Sequence, residues 1–313
     1  MTPQEIALAN SRAYHLLSQV MLFGMTDDLQ QVIKRFPEFQ VIESQATDEW
    51  KADHYAVFGM NVFPFETVFL TEDGLLGGAV SDSVAHAYYE ASFRPDDSET
   101  VDHIGNELGL MAFLCDAEAT AYEDDVVQAI YHATHLQRQF LDNHLLCWLP
   151  SLVIAIHQHG DERFSVIADL ILDLAFKHRQ ALEDDTMNPT QSLVLPTVPH
   201  ILESDKTGLK EIAEFLLTPV YTGFYLSRDD IVRIGSHFQL PRGFGKRQQM
   251  LTNLLNTAVE YSAMDALMEL LQDEINLRQK FYIQRVPDKR FSNAWISRLN
   301  ETTQFLQMIR DAL

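Results

Sequence analysis

Neighbouring carboxylates and imidazoles are the residues of this sequence best placed to do chemistry. They gather at Glu99-Thr100-Val101-Asp102-His103, after the polar lead-in Arg94-Pro95-Asp96-Asp97-Ser98. Apolar residues then recur at Val101, Ile104, Leu108, Met111 and Cys115, the spacing of one buried helix face. Glu99, Asp102 and His103 are therefore expected in the first helical turn, where open N–H groups and the helix dipole favour carboxylates. Adjacent helical residues point about 100° apart, so the Asp102-His103 pair cannot hold one ion by itself. His132, His135 and His144 are the only helix-spaced additions, and no metal or other cofactor is expected. Cys115 and Cys147 have no basic residue beside them to stabilise a thiolate, and no Gly-x-Ser-x-Gly elbow exists. Gly243-Phe244-Gly245-Lys246-Arg247 lacks the phosphate-loop spacing and the Ser or Thr after lysine. Arg242, Lys246 and Arg247 still form a positive spot near a helix start, suited to an anion. These residues describe a binding surface, not an enzyme.

Three further stretches share the character of the first. Phe140-Leu141-Asp142-Asn143-His144-Leu145-Leu146-Cys147-Trp148-Leu149-Pro150 ends an apolar helix. Phe63-Pro64-Phe65-Glu66-Thr67-Val68-Phe69 and His54-Tyr55-Ala56-Val57-Phe58 lie upstream. Together the four resemble the TorD/DmsD/NarJ family of redox-enzyme maturation chaperones. The family's Glu-Pro-x-Asp-His segment is met at Glu99, Asp102 and His103, with Thr100 in place of proline. Its Phe-Leu-x-x-His-Leu-x-x-Trp segment is complete at Phe140, Leu141, His144, Leu145 and Trp148. Its Pro-x-Glu-Ser-Val-Tyr segment is met at Pro64, Glu66 and Val68, with Thr67 and Phe69 as conservative changes. Its aromatic-x-x-Leu-Phe segment keeps only Phe58, His54 and Val57 being departures. The resemblance covers roughly residues 13–182 and implies an all-α bundle.

The bulk composition agrees with that class. A chain of 313 residues with 46% hydrophobic content can bury a large core. Its formal charge of −22 disfavours nucleic acid and anionic membrane surfaces. Two cysteines, both in expected helices, give no disulfide framework and point to a reducing compartment, here the cytoplasm. No basic n-region or cleavage site opens the chain, and no uncharged apolar run is long enough for stable membrane insertion.

Helix signals dominate from the start. Thr2-Pro3-Gln4-Glu5 is a capping box, and Ser227-Arg228-Asp229-Asp230 resembles another. Helices are expected over Asp27 to Arg35, Asp48 to Phe58, Ser81 to Ser92, Glu123 to Leu146 and Trp148 to His159, with 60–78 a long connection. The best strand candidate, Ser192 to Val198, is demoted by Pro196 and Pro199. Composition shifts between Glu183 and Lys206, which predicts a chaperone-like unit over residues 1–200 and a C-terminal helical extension over 201–313.

The resemblance implies a partner: a molybdoenzyme catalytic subunit and its twin-arginine signal peptide. Such a receptor needs carboxylates for guanidinium groups and an apolar groove for the rest. Glu66, Glu99, Asp102, His103 and Glu107 supply the polar groups, with Phe58, Phe63, Phe65, Phe69, Tyr88 and His54 along the groove. His144 and Trp148 are anchors. Asp102 and His103 are expected at the groove mouth, in a monomer or homodimer. The alternatives are a nucleotide-binding or hydrolysing helical protein using residues 242–247, and a scaffold acting through the extension.

Overall fold

The computed structural model describes residues 1–33, 47–95, 101–182, 192–239 and 245–311. Glu99 and Arg242 lie outside the described residues, as do residues 183–191 of the connection expected from Glu183. The fold is all-α, with no strand among the described residues and one isolated antiparallel bridge between Phe65 and His103. In chain order the helices are α1 (Pro3–Phe23), α2 (Asp27–Ile33), α3 (Thr47–His54), α4 (Glu66–Leu70), α5 (Gly78–Glu90), α6 (Ile104–Glu123), α7 (Val127–Phe140), α8 (Leu146–His159) and α9 (Glu162–Ala181). The extension holds α10 (Leu209–Leu216), α11 (Pro219–Thr222), α12 (Arg228–His237), α13 (Arg247–Glu260), α14 (Met264–Arg285) and α15 (Lys289–Asp311).

Local chemistry explains the helix starts. Both capping boxes form, at Thr2 with Glu5 and at Ser227 with Asp230. Asp161 accepts from the backbone N–H groups of Arg163 and Phe164 to start α9. The α1 and α6 helices pack closely because Gly105 has no side chain: a Cβ there would meet Leu22 Cγ at 2.5 Å. Ser18 Oγ donates to the Gly105 carbonyl at 2.7 Å across the same contact.

The helix break expected before Pro150 does not occur. Val127–His159 is one helical run, with a π-helical turn at Leu141–Leu145 and Pro150 inside α8. By length and composition it could cross a membrane, but 89% of its apolar window is buried by the rest of the protein. It is the central core helix. A second π-helical turn, Tyr55–Gly59, continues α3. The expected 60–78 connection also contains α4, and 192–198 is irregular.

Residues 201–313 pack onto the rest through specific bonds. Trp295 Nε1 donates to the Cys147 carbonyl at 2.9 Å, and the Ser151 and Tyr282 hydroxyls lie 2.6 Å apart. Tyr225 stacks on Phe69 at 5.4 Å and donates to the Asn61 carbonyl at 2.7 Å. Leu193 N–H bonds the Arg290 carbonyl, and Arg298 bonds that of Pro196, so the 192–198 stretch is itself laid on α15. Trp148 and Trp295, both fully buried, belong to one continuous apolar cluster.

A cut between residues 183 and 206 tests the proposed division at 200. Because separation takes Tyr225 off Phe69, Trp295 off Cys147 and Tyr282 off Ser151, the N-terminal fragment should bind a hydrophobic dye and aggregate once freed from the extension. A soluble fragment with an intact near-ultraviolet spectrum would establish two independent units.

Candidate functional site

Three of the motif stretches come together where α4, α6 and α8 meet: 63–69, 140–150 and the described part of the first, 101–103. Ile104 N–H bonds the Pro64 carbonyl and Glu66 N–H bonds that of Asp102, both at 2.9 Å. This short antiparallel crossing fixes Phe63–Glu66 against the start of α6. Asp102 then caps α4 from across the crossing. Its Oδ2 accepts the Thr67 backbone N–H at 3.0 Å and the Thr67 hydroxyl at 2.6 Å, while Oδ1 is buried without a partner. His103, not Asp102, is the cap of α6, with Nδ1 accepting Gly105 N–H at 3.1 Å. Its imidazole packs on Phe65 at 4.9 Å. Burial, reinforced by the charge of nearby His54, pulls the His103 pKa down to about 3, so the ring is neutral and its lone pair is available for capping.

Behind this crossing lies a pair of acids. Glu107 Oε2 accepts the Trp148 indole N–H at 3.2 Å, and His144 Nδ1 lies 3.2 Å from Glu66 Oε2. Burial raises the pKa of both carboxyls, and the neighbouring Glu66 charge raises Glu107 further. The pair therefore keeps a proton to higher pH than a free carboxyl would. Tyr88 donates to the Val101 carbonyl at 2.7 Å, and burial with these carboxylates pushes its phenol up.

The expected position at a groove mouth is corrected. Asp102 has 0% and His103 6% of its surface exposed, with Glu66, Glu107, Tyr88, Trp148 and Phe58 also interior. The amphipathic spacing located the helix, but the crossing to Phe63–Glu66 covers its first turn. His54 is half-buried, donating from Nε2 to the Met21 carbonyl at 3.0 Å and packing on Phe58 and Phe164. Arg247 lies 4.6 Å above Tyr225 and 5.8 Å from Phe63, and donates to the Leu226 carbonyl at 3.0 Å. It is thus engaged within the protein, while Lys246 is exposed at the start of α13. Both cysteines are buried and free, with thiol pKa values pushed up by burial.

Several residues of this region were not foreseen. Asp142 forms a buried two-pronged pair with Arg179, at 2.6 and 2.9 Å. A carboxylate amid the apolar run 140–149 was the available signal. Tyr225 and Asn61 carry no such signal, because only the fold brings them to α4.

The family comparison falls on this region. The family described as "Nitrate reductase delta subunit" matches residues 24–153. The selenate reductase assembly chaperone protein of Thauera selenatis is 29% identical over 97 residues, 31% of this chain and 49% of that protein. The chaperone protein TorD of Salmonella bongori is 32% identical over 92 residues, 29% of this chain and 37% of its own. The matched stretch spans less than half the length of either relative. No solved structure matches. The TorD/NarJ family resemblance read from the motifs is thereby shown over residues 24–153.

Two stability measurements follow. Asp102→Asn replaces charge-assisted bonds to Thr67 by neutral ones and should lower stability by about 1–2 kcal/mol; an unchanged melting temperature would remove the capping role. In Glu107 the folded-state pKa is raised, so the native state holds more protons and stability falls as pH rises above the unfolded carboxyl value. His103 and His178 have lowered values of about 3 and about 4, so they lose stability as pH falls below the unfolded imidazole value of about 6.5. Denaturant titrations should give a stability maximum between these limbs, with Glu107→Gln flattening only the alkaline one.

Proposed function

We propose that the protein is an assembly chaperone for a molybdenum-cofactor oxidoreductase. It holds the client's twin-arginine leader and its apo-form while cofactor is inserted, and it delays export. The observation carrying this reading is that segments scattered from Phe63 to Trp148 converge on one crossing of α4, α6 and α8 inside the matched stretch 24–153. The printed roles of the two relatives, selenate reductase assembly and a TorD chaperone, support the same class. Holding a client requires no covalent step, and the buried, proton-retaining thiols suit a protein without a nucleophile. On this reading the protein works in the cytoplasm, where leaders await export, as a monomer or homodimer.

The leader's apolar run has a candidate seat beside the motif. A groove of about 390 Å³ between α1 and α6 is lined by Leu22, Phe93, Phe113, Gly105 and Gly109, with Asp116 at an exposed edge. Asp102, His103, Glu66, Trp148 and Tyr88 act on this reading by fixing the walls, since their side chains are interior. Arginines of the leader are drawn by the surface charge of an acidic chain.

Calorimetric titration with a twin-arginine leader peptide tests the proposal, the client being identified first by pull-down and mass spectrometry. Saturable binding is expected, weakened at least about tenfold when both arginines become glutamine, from the 1.5–3 kcal/mol of a charged hydrogen bond. Absence of binding by any twin-arginine leader from the same cell would overturn the reading.

A further inference from the structure

We propose that a cavity of about 290 Å³ between α5, α6 and the end of α7 is the subsite for one arginine side chain of the client leader. Its inner acceptor is His144 and its rim carboxylate is Glu90. The inference rests on the proposed chaperone reading and adds a place and a chemistry to it.

Hydrogen-bond direction supplies the first argument. His144 turns Nδ1 to the Glu66 carboxyl at 3.2 Å, and Glu66 does not line the cavity. Within the acid pair the mutual hydrogen bond lowers the Glu66 value and raises that of Glu107, so the retained proton rests on Glu107 and Glu66 is the acceptor. Nδ1 then donates, and in that tautomer the ring offers an Nε2 lone pair on its other edge. His144 itself lines the cavity. A ligand meeting that lone pair must be a hydrogen-bond donor.

Charge supplies the second argument. The cavity wall contains Glu90 and no lysine or arginine. Glu66, Glu107 and Asp102 lie behind His144, and the buried Arg179 of α9 is paired with Asp142. Tyr88, also facing the cluster, is a neutral phenol whose ionisation the cluster opposes. The field therefore favours a cationic donor. His86 lies 3.4 Å from Glu90, but both side chains are more than half exposed, so this weak pair yields easily to a better partner.

Shape selects arginine among cations. Leu110, Leu114, Leu136 and Phe140 give the cavity apolar walls, which suit a long methylene stem. A guanidinium has several donors in a fixed plane and can bond an inner acceptor and a rim carboxylate together, which an ammonium does less well. The volume accommodates one side chain and excludes a helix.

The experiment uses the full chain, leader peptides in which each arginine in turn is citrulline, and two variants. His144→Asn keeps a donor for Glu66 but removes the Nε2 acceptor, while Glu90→Gln removes only the rim charge. The wild-type protein should lose affinity with citrulline at one particular position. Glu90→Gln should bind the native leader about two- to fivefold more weakly, and His144→Asn about tenfold or more weakly. Both should lose the penalty at that one citrulline position and keep it at the other. If Glu90→Gln, which leaves the interior untouched, retains the full penalty at both positions, the subsite is overturned even where His144→Asn fails to fold. Failure of the wild-type protein to bind any leader would instead overturn the chaperone reading itself.

Discussion

Three carboxyl groups, Glu66, Asp102 and Glu107, sit inside this bundle, and the surrounding architecture is organised to make that tolerable. A buried charge without a partner costs several kcal/mol. Each acid has donors from another element: Thr67 of α4 for Asp102, Trp148 of α8 for Glu107, and His144 of the π-helical turn for Glu66. The remaining cost falls on the Glu66 and Glu107 pair, which meets it by retaining a proton. Because every donor is contributed by a different segment, the acids act as ties between elements distant in sequence. Removing one donor exposes an acid to the full desolvation cost, whereas removing an acid leaves a smaller, neutral deficit. The directional nature of these ties fixes the crossing at Phe65 and His103 more tightly than apolar packing alone would.

The same region joins the two stretches of the chain. Trp148 packs on Phe69 at 5.5 Å, Phe69 stacks on Tyr225, and Arg247 covers Tyr225 on the far side. A file of rings thus runs from the Glu107 acceptor, through α4, to the extension. Tyr225 also accepts from Phe63 N–H at 3.5 Å and donates to the Asn61 carbonyl, so it buttresses the Phe63–Glu66 segment. The extension gives the motif the Tyr225 hydroxyl at Phe63 and the Trp295 indole at Cys147, while Thr67, His144 and Trp148, the partners of Asp102, Glu66 and Glu107, all precede Pro150. Changes in the extension can therefore reach the motif through ring packing, and charge changes there will be felt weakly by comparison.

Helical content and most element positions were legible because they follow from period and caps. Thr2 with Glu5, and Ser227 with Asp230, mark their helices by side-chain chemistry alone. The α4 helix was not legible: its cap, Asp102, is 35 residues away from Thr67 in the chain. The π-helical turns at Tyr55–Gly59 and Leu141–Leu145 were hidden for a different reason. Each breaks the 3.6-residue period on which sequence reading depends, and each falls within a motif stretch. A break was read between Leu146 and Trp148, and the helix expected after it carries Pro150. In the fold Pro150 stays inside α8, beside a Cys147 carbonyl that takes the Trp295 indole N–H. The acids Glu99, Asp102, Glu66 and Glu107 were recognised as a set, but a list of residue types does not say which face is covered. That depth was decided by the Phe63–Glu66 crossing.

The depth of these acids bears on how a cationic leader would be read. Asp102 and Glu107 cannot meet a guanidinium directly, since their oxygens are covered by α4 and Trp148. Surface carboxylates of a chain with net charge −22 can raise the encounter rate, but screening over about 8–10 Å limits them to near approach. Attraction of that kind does not distinguish arginine from lysine. Discrimination needs a fixed acceptor at the end of a shaped space. Within the motif, His144 combines interior anchoring with access: its Nδ1 is held beside Glu66, and the residue lines a cavity. On the proposed reading the buried acids then have a use that their depth seemed to deny: they orient the ring and set the field at the group proposed to meet the partner.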